Sequence, residues 1–404
     1  MDKGILVLNA GSSSLKFALY QHGGGEKLDV SCHGEIEAMM TAPRFVVRDK
    51  TGAEIGAQSW PKPIDAETGL RVLLDWLNKN RGAVPLAACG HRLVQGGERY
   101  HGPALVDAEA LDYLDGLAML EPQHQPSEVE GMRAIARIHP ELPQVAVFDT
   151  SFHRAMPEVS QIYAVPKTVH DAGVKHWGYH GTSYDYINRT LPHYDAGAKK
   201  VIVAHLGSGA SMCAILDGKS IATTMGFSGI EGLPMGTRSG AIDAGALLYL
   251  LRRGFYDDKS LQHMLYEEAG LKGLSGISND VRTLLASNSP AAKLAIDYFV
   301  HRIVYFAGAY AALLGGLDAF VFTAGIGENA APIRAAVCAR LKWLGLDFDA
   351  AANANNGPRL STESSTVRAW VIPTDEEIMI ARHTLALIEG AAADAHAQFG
   401  QQAP

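Results

Sequence analysis

The sequence predicts an α/β protein built from two copies of one domain plan. Three observations lead there. Between Gly4 and Tyr20 an apolar run (5–8) breaks at Asn9-Ala10-Gly11-Ser12-Ser13-Ser14, and a second apolar run (17–20) follows Lys16. Two short apolar runs around a Gly/Ser turn are the pattern of a β-hairpin. The pattern returns about half a chain later as 201–206, the turn Gly207-Ser208-Gly209, and 210–216 before Asp217-Gly218. Finally, 404 residues exceed one ordinary core, so two domains are the default.

The first hairpin tip offers backbone N–H groups and hydroxyls with a lysine just beyond. Such a loop can lie against a phosphate chain, because glycine and serine let the backbone approach closely. An ordinary serine-rich hairpin has the same look. From 28 to 60 further short strands follow, Phe45-Val46-Val47 among them, and Leu70, Leu73, Leu74 and Leu77 have helical spacing. A strand over 87–94 carries Arg92 into Gln95-Gly96-Gly97. Residues 105–120 read as helix, after which Pro122 and Pro126 fix a loop bearing His124. A buried-type strand from Gln144 to Phe148 runs into Asp149, an acid at the carboxyl edge of a sheet, where ligands bind in open α/β folds. Trp177-Gly178-Tyr179-His180-Gly181 is a small-residue loop that opens a helix.

In the second half, Met235-Gly236-Thr237-Arg238-Ser239-Gly240 sets another arginine in a glycine loop. Asn279 or Asp280 caps the helix that begins with Val281-Arg282. A helix over 291–314 leads to a strand over 319–322 and then to Gly325-Ile326-Gly327-Glu328-Asn329. That glycine turn starts a helix and suits an anion or a nucleoside. Asp375-Glu376-Glu377 make an acidic start to the last long helix.

Composition narrows the function. A formal net charge of −8 argues against a nucleic-acid binder and an anionic membrane surface. The apolar run 303–317 is short for a membrane span and reads as a buried helix. Met1-Asp2-Lys3-Gly4 passes directly into a strand, so no secretory leader is expected. Cys32, Cys89, Cys213 and Cys338 are scattered without zinc or redox spacing, which suits reduced thiols in the cytoplasm. The 16 histidines form no H-E-x-x-H or comparable metal motif.

Several catalytic motifs are excluded. Gly218-Lys219-Ser220 lacks the first glycine of a Walker A loop, since Cys213 stands there, and no G-x-G-x-x-G follows Gly207 or Gly325. Ser13-Ser14-Leu15-Lys16 and Lys50-Thr51-Gly52 match serine-hydrolase fragments, but the K-T-G comes far too early and no S-D-N exists. Phosphoryl transfer to a small acceptor fits better. It needs cations around the moving group and strict positioning, and Arg92, Arg238, His124 and His180 all lie in loops or at strand ends. A hydroxyl acceptor needs a base, which Asp149 can supply. A carboxylate acceptor is already ionised and needs positive charge instead. Singly, each residue also has a plain structural reading: a surface ion pair, a helix cap, a lone loop histidine, or carboxylates on a helix dipole.

NAGSSSLKF, GHRLVQGGE, VFDTSFH, WGYHGTSY, AHLGSGAS, GLPMGTRSG, FTAGIGEN and IPTDEEIMIAR together resemble the acetate and propionate kinase family, within the sugar kinase, heat-shock protein 70 and actin superfamily. The resemblance spans nearly the whole chain. It implies two duplicated actin-like (ribonuclease H-like) α/β domains with an interdomain active-site cleft. The expected division is 1–149 plus 382–404, and 150–381. It also implies a cytoplasmic homodimer that converts ATP and acetate to ADP and acetyl phosphate, reversibly, with Mg2+, or Mn2+ as the alternative. By motif, Asn9 and Glu376 look like the metal positions. Arg92 is similar to the carboxylate contact, and Val94, His124, Tyr179 and Gly229 to the rest of the acid site. Asp149, His180 and Arg238, with Arg92, look like the catalytic groups. Ser12, Ser14 and Lys16 resemble the first phosphate loop. The remaining ATP segments are His205, Leu206, Gly207, Ser208 and Gly209; Asp280, Val281 and Arg282; and Gly325, Ile326, Gly327, Glu328 and Asn329.

The chain departs from the family pattern at a few positions. Ser208 replaces an asparagine, Gly229 a proline and Tyr179 a phenylalanine, while Ala241 and Asp375 replace an aspartate and an asparagine. A shorter side chain at Ser208 bears on nucleotide affinity. A roomier, more polar pocket around Gly229 and Tyr179 admits propionate or a larger acid as the alternative substrate. A non-catalytic actin-like nucleotide-binding module is the other rival; assembly alone needs none of Arg92, Asp149, His180 and Arg238.

Overall fold

The computed structural model describes residues 3–400 except 12, 25–26, 81 and 83, with the backbone alone over 391–400. The chain divides into two compact units. One runs to Ser151 and resumes at Asp375; the other is Phe152–Thr374.

The first unit holds an eight-stranded sheet: β1 (Lys3–Ala10), β2 (Leu15–His22), β3 (Leu28–Glu37), β4 (Arg44–Asp49), β5 (Glu54–Ser59), β6 (Leu86–Leu93), β7 (Ala104–Leu105) and β8 (Gln144–Phe148), in the order β5-β4-β3-β2-β1-β6-β8-β7. The second holds five strands: β9 (Lys200–Leu206), β10 (Ala210–Leu216), β11 (Lys219–Thr223), β12 (Ala319–Thr323) and β13 (Arg368–Val371), in the order β11-β10-β9-β12-β13. The run β3-β2-β1-β6-β8 matches β11-β10-β9-β12-β13 strand for strand. In each, two antiparallel pairings are followed by two parallel ones. That shared order is the duplication foreseen from the repeated hairpin.

Alternation along the strands loads both faces of the first sheet. From β1, Leu6, Leu8 and Ala10 join one core with Leu70, Leu73, Leu74 and Leu77 of the helix Ala66–Asn80. Ile5 and Val7 enter the other core with Ile380, Ala381 and Leu385 of the closing helix Glu376–Gly400. Truncating a buried leucine such as Leu73 to alanine costs about 2–5 kcal/mol. The closing helix lies close to β6 because Gly90 has no side chain: a Cβ there would stand 2.2 Å from Thr384 Oγ1.

The observed division differs from the expected one. Asp375 and Glu376 belong with the first unit rather than the second, because the closing helix is one rod whose start Asp375 caps, accepting from the Ile378 N–H at 2.9 Å. Thr150 stays there too, accepting from the Gly96 N–H at 3.3 Å.

The expected helix over 105–120 is shorter. Leu105 pairs in β7, Asp107 caps the helix Ala108–Gly116 with its side chain, and a tight turn over 117–119 follows. His124 occupies the N-cap position of the helix Gln125–Ile138, and Pro126 lies in its first turn, where the missing N–H costs nothing.

In the second unit the helix Pro290–Leu314 is capped by Ser289 and stopped by Gly315 at φ 65°. The apolar run 303–317 thus ends as a turn, and Leu294, Tyr305 and Leu313 on this helix are exposed. The helix Ala244–Arg252 has no buried residue although its sequence is AGALLYLLR. No described helix is long and apolar enough to cross a membrane. All four cysteines are free and buried.

Candidate active site

Several of the polar groups singled out by sequence lie at the carboxyl ends of parallel strands: Arg92 and Asp149 in the first unit, His205 in the second. In the first, Arg92 is the penultimate residue of β6, and Asp149 directly follows β8. The register that pairs Leu93 with Phe148 brings them together, and the Asp149 N–H donates to Leu93 O at 2.9 Å. Arg92 Nη2 donates to Asp149 Oδ2 at 2.6 Å, and Arg92 Nε stands 3.9 Å from Glu376 Oε2. Along β6, Ala88, Gly90 and Arg92 share one face, which is why Arg92 meets the first turn of the closing helix.

A third carboxylate was missed. Glu128, buried on the helix Gln125–Ile138, accepts from the Val94 N–H at 2.9 Å. Gln125 brackets the next residue: its Oε1 accepts from the Gln95 N–H and its Nε2 donates to Gln95 O. The 93–97 segment is thereby fixed, with Val94 buried beside it.

Burial dominates the electrostatics of this cluster. Burial opposes the charge on Arg92, but Asp149, Glu376 and Glu128 overcome it and hold the guanidinium protonated. Burial pushes Glu128 up to about 8, against Arg92 and the Val94 N–H, with Asp149 and Glu121 adding to the rise. Burial likewise lifts Glu376 to about 7, Arg92 and Lys16 opposing, Asp149 and Glu377 assisting. Burial is the larger cause of both rises, and the neighbouring carboxylates add to it. Asn9 pairs with Lys16 across β1 and β2, at the end of the hairpin beside its turn.

No group of three or more His, Cys, Asp or Glu side chains among the described residues forms a cage for a metal ion. One or two carboxylates beside phosphate oxygens is nevertheless the ordinary setting for magnesium, which keeps waters and rarely uses an all-protein cage. The donor set fits such an ion. Ser12 lies outside the described residues; Ser14 O accepts from the Gly11 N–H at 2.8 Å and closes the hairpin turn.

The second unit assembles the other expected residues. Leu206 pairs with Ala210, leaving Gly207-Ser208-Gly209 as the turn between β9 and β10. The Gly236 N–H donates to Ser208 O at 3.1 Å, tying that turn to the arginine loop. Arg238 Nη1 donates to Gly229 O at 3.0 Å, and Tyr179 Oη donates to Phe227 O at 2.7 Å. Tyr179, Gly229 and Arg238 are therefore neighbours through one loop.

His180 sits at the N-cap position of the helix Gly181–Thr190 with φ 58°, a left-handed conformation that costs a non-glycine residue about 1–2 kcal/mol. Its Nδ1 lies 2.8 Å from Ser211 Oγ, which also bonds Tyr184 Oη. Its ring stacks on His205 with centroids 4.2 Å apart, and His205 Nδ1 lies 2.8 Å from Ser183 Oγ. A Cβ on Gly209 would stand 3.3 Å from His180 Nε2, so that nitrogen faces the glycine turn.

Three expected nucleotide segments line one cavity of about 560 Å³: Gly207 and Ser208 from the first, Asp280 to Arg282 from the second, and Gly325, Ile326 and Asn329 from the third. Asp280 does cap its helix, accepting from the Arg282 N–H at 2.8 Å, and it also holds the Arg282 guanidinium. His205, Leu206, Gly209, Gly327 and Glu328 do not line this cavity. Gly327 is packed against Phe322 and Ala204 O, while Glu328 Oε1 accepts from the Thr374 N–H at 3.1 Å. These residues shape the turns rather than the wall.

Paired sheets of one order, with polar clusters at the carboxyl ends of their parallel strands, define the duplicated actin-like α/β class. Over residues 4–382 the sequence matches the Acetokinase family. It is 46% identical to the acetate kinase of Rhodopseudomonas palustris over 396 residues, 96% of this chain and 100% of that protein. Identity to the acetate kinase of Rhizobium meliloti is 45%, covering 95% and 98%. Among solved structures, a propionate kinase from Francisella tularensis superposes with a TM-score of 0.89 at 37% identity, covering 95% of this chain and 99% of that one. Porphyromonas gingivalis acetate kinase superposes at 0.86 with 32% identity, covering 96% and 100%. The chain belongs to the acetokinase family.

Proposed function

We propose that this protein is an acetate kinase, transferring the γ-phosphoryl group of ATP to acetate to give ADP and acetyl phosphate, reversibly. The observation that carries the reading furthest is Arg92, set between Asp149 and Glu376 at the carboxyl ends of β6 and β8. A cation braced by a buried aspartate and a part-buried glutamate is a fixed clamp for a small carboxylate. The acid is ionised at neutral pH, so no base is required; it needs charge and orientation.

In this reading Arg92 orients the acid, the buried Val94 lies against its alkyl end, and His124 contributes beside them. By the family resemblance, Tyr179 and Gly229 are assigned to acid selection, and Arg238 with His180 to stabilising charge on the transferring group. Ser211 Oγ links Tyr184 Oη to His180 Nδ1, which leaves Nε2 as the ring nitrogen facing the glycine turn. Lys16, Ser12, Ser14 and the 205–209 turn attend the phosphates, and the cavity bounded by 280–282 and 325–329 takes the nucleoside. Glu376 and Asn9 would hold Mg2+, or Mn2+, which supplies charge neutralisation on the β- and γ-phosphate oxygens when bound. Asp149 keeps Arg92 in place and orients the ion's surroundings.

The reading includes a homodimer in the cytoplasm. The exposed apolar helix Ala244–Arg252, with Leu248, Tyr249 and Leu251 open, supports burial against a second copy. Free buried cysteines suit a reducing compartment.

A propionate preference is the second reading. Gly229 contributes no side chain, and the Tyr179 hydroxyl is spent on Phe227 O, so the acid site is roomier without being more polar. Phosphorus NMR of the protein with MgATP and each acid in turn decides between them. A new acyl phosphate resonance with acetate supports the first reading, and faster turnover of propionate the second. ADP formed at the same rate without any acid contradicts both.

A further inference from the structure

Arg334 is the largest fully buried side chain among the described residues, and no motif in the sequence marks it. All five of its N–H groups are engaged. Nε donates to Asn353 Oδ1 at 2.8 Å; Nη1 donates to Gly327 O at 3.0 Å and Glu328 O at 2.7 Å; Nη2 donates to Asn353 O at 3.2 Å and Asn356 Oδ1 at 2.8 Å. Each acceptor is neutral. A buried cation held by carbonyls and amides alone is costly to desolvate, so geometry rather than charge pairing accounts for it.

The need arises from the backbone. A helix leaves its last carbonyls without partners inside the helix. The helix Ala324–Asn329 is short, and the residue four beyond Glu328 is Pro332, which has no N–H to offer. Arg334, from the helix Ala331–Arg340, supplies the missing donor to Glu328 O and bonds Gly327 O with the same nitrogen. Asn353 completes the tie: it accepts from Arg334 Nε, and its own Nδ2 donates to Ala331 O at 3.0 Å. The corner at 324–334 is thereby fastened to the helix Ala350–Ala354. Gly325, Ile326, Asn329, Ala330 and Pro332 from that corner form one wall of the 560 Å³ cavity.

We propose that Arg334 is the positioning residue for this wall, and that nucleotide affinity depends on its five-donor fork. The inference rests on the reading of the cavity as the nucleotide site. Lysine cannot replace it, having three donors on a flexible stem against five in a rigid plane. The residue acts through Gly327 and Glu328 and touches no substrate.

The test compares wild type, Arg334→Lys and Asn356→Gly; glycine at 356 removes one acceptor and accepts the φ of 62° found there. Calorimetry gives the MgADP dissociation constant, and steady-state kinetics give KM for ATP and for acetate. Arg334→Lys is expected to weaken MgADP binding and raise KM for ATP about tenfold or more, with the acetate KM within about twofold of wild type. Asn356→Gly is expected to give a smaller shift of the same kind. A merely structural role would lower the melting temperature or folded yield and leave the nucleotide constants of the folded protein unchanged, which overturns the proposal. Should Arg334→Lys not fold, an unchanged MgADP affinity in Asn356→Gly overturns it equally. Wild type that binds no MgADP would instead remove the cavity's nucleotide reading, and this inference with it.

Discussion

Asp149 Oδ2 and Arg92 Nη2 stand 2.6 Å apart, and the Asp149 side chain is only 1% exposed. Removing either partner takes away the nearest counter-charge of the other. Breaking a buried pair in this way typically costs about 3–5 kcal/mol. Arg92→Ala is therefore expected to raise the acetate KM about tenfold or more, and Asp149→Asn to lower kcat about a hundredfold. Because the two groups act as one unit, the double variant loses less than the sum. Steady-state kinetics on the four proteins checks this; additive losses would contradict a shared role.

His180 depends on a relay. Ser211→Ala removes the partner of Nδ1 and Tyr184→Phe removes the partner of that serine, so the ring is less firmly oriented and kcat is expected to fall about tenfold with both KM values nearly unchanged. A change in KM alone would contradict the relay.

The second glycine turn passes close to the same imidazole. Gly209→Ala puts a methyl group 3.3 Å from His180 Nε2. The expected result is a loss in kcat of about tenfold, with MgADP affinity within about threefold of wild type, read by calorimetry beside kinetics. Full activity would mean that this nitrogen does not face the reacting group.

Stability should fall as pH rises. Burial lifts Glu128 to about 8 and Glu376 to about 7, so the folded chain binds more protons than the unfolded chain between their ordinary values near 4.5 and those values. Stability is then greatest at the acid end of the window and declines by up to about 1.4 kcal/mol per pH unit for each group. Glu128→Gln retains an oxygen for the Val94 N–H and removes one proton from this balance, so its unfolding midpoint should change less between about pH 5 and 8. Metal-free denaturant unfolding across that range provides the check. An identical slope in wild type and variant would contradict the buried, proton-binding Glu128.

The apolar helix Ala244–Arg252 predicts a concentration-dependent dimer. Leu248→Glu with Tyr249→Glu should give a monomer by sedimentation velocity at concentrations where wild type is dimeric. A persisting dimer would locate the interface elsewhere.

The duplication was legible because a β-hairpin writes its own period twice, at 4–20 and 201–216, and the shared order of five strands followed from it. Asp149 was legible as an acid ending a buried strand. Its bond to Arg92 was not, because parallel register joins residues 57 apart and leaves no local mark. Glu128 escaped notice because it sits on an ordinary amphipathic helix, where nothing nearby distinguishes a buried carboxylate from a solvated one. Arg334 left one faint signal, Pro332 two residues earlier, which removes a donor that another group must replace. The seven-residue error in the second domain boundary arose at the helix that crosses it, since a continuous helical pattern cannot say which sheet it packs on.

Trapping the product as its hydroxamate tests the central claim most directly. Purified protein is incubated with MgATP, hydroxylamine and either acetate, propionate or butyrate. Strong hydroxamate formation that requires both MgATP and acid, and that is greatest with acetate, is the predicted result. Folded protein that binds MgADP and yet forms no hydroxamate with any of the three acids would contradict it.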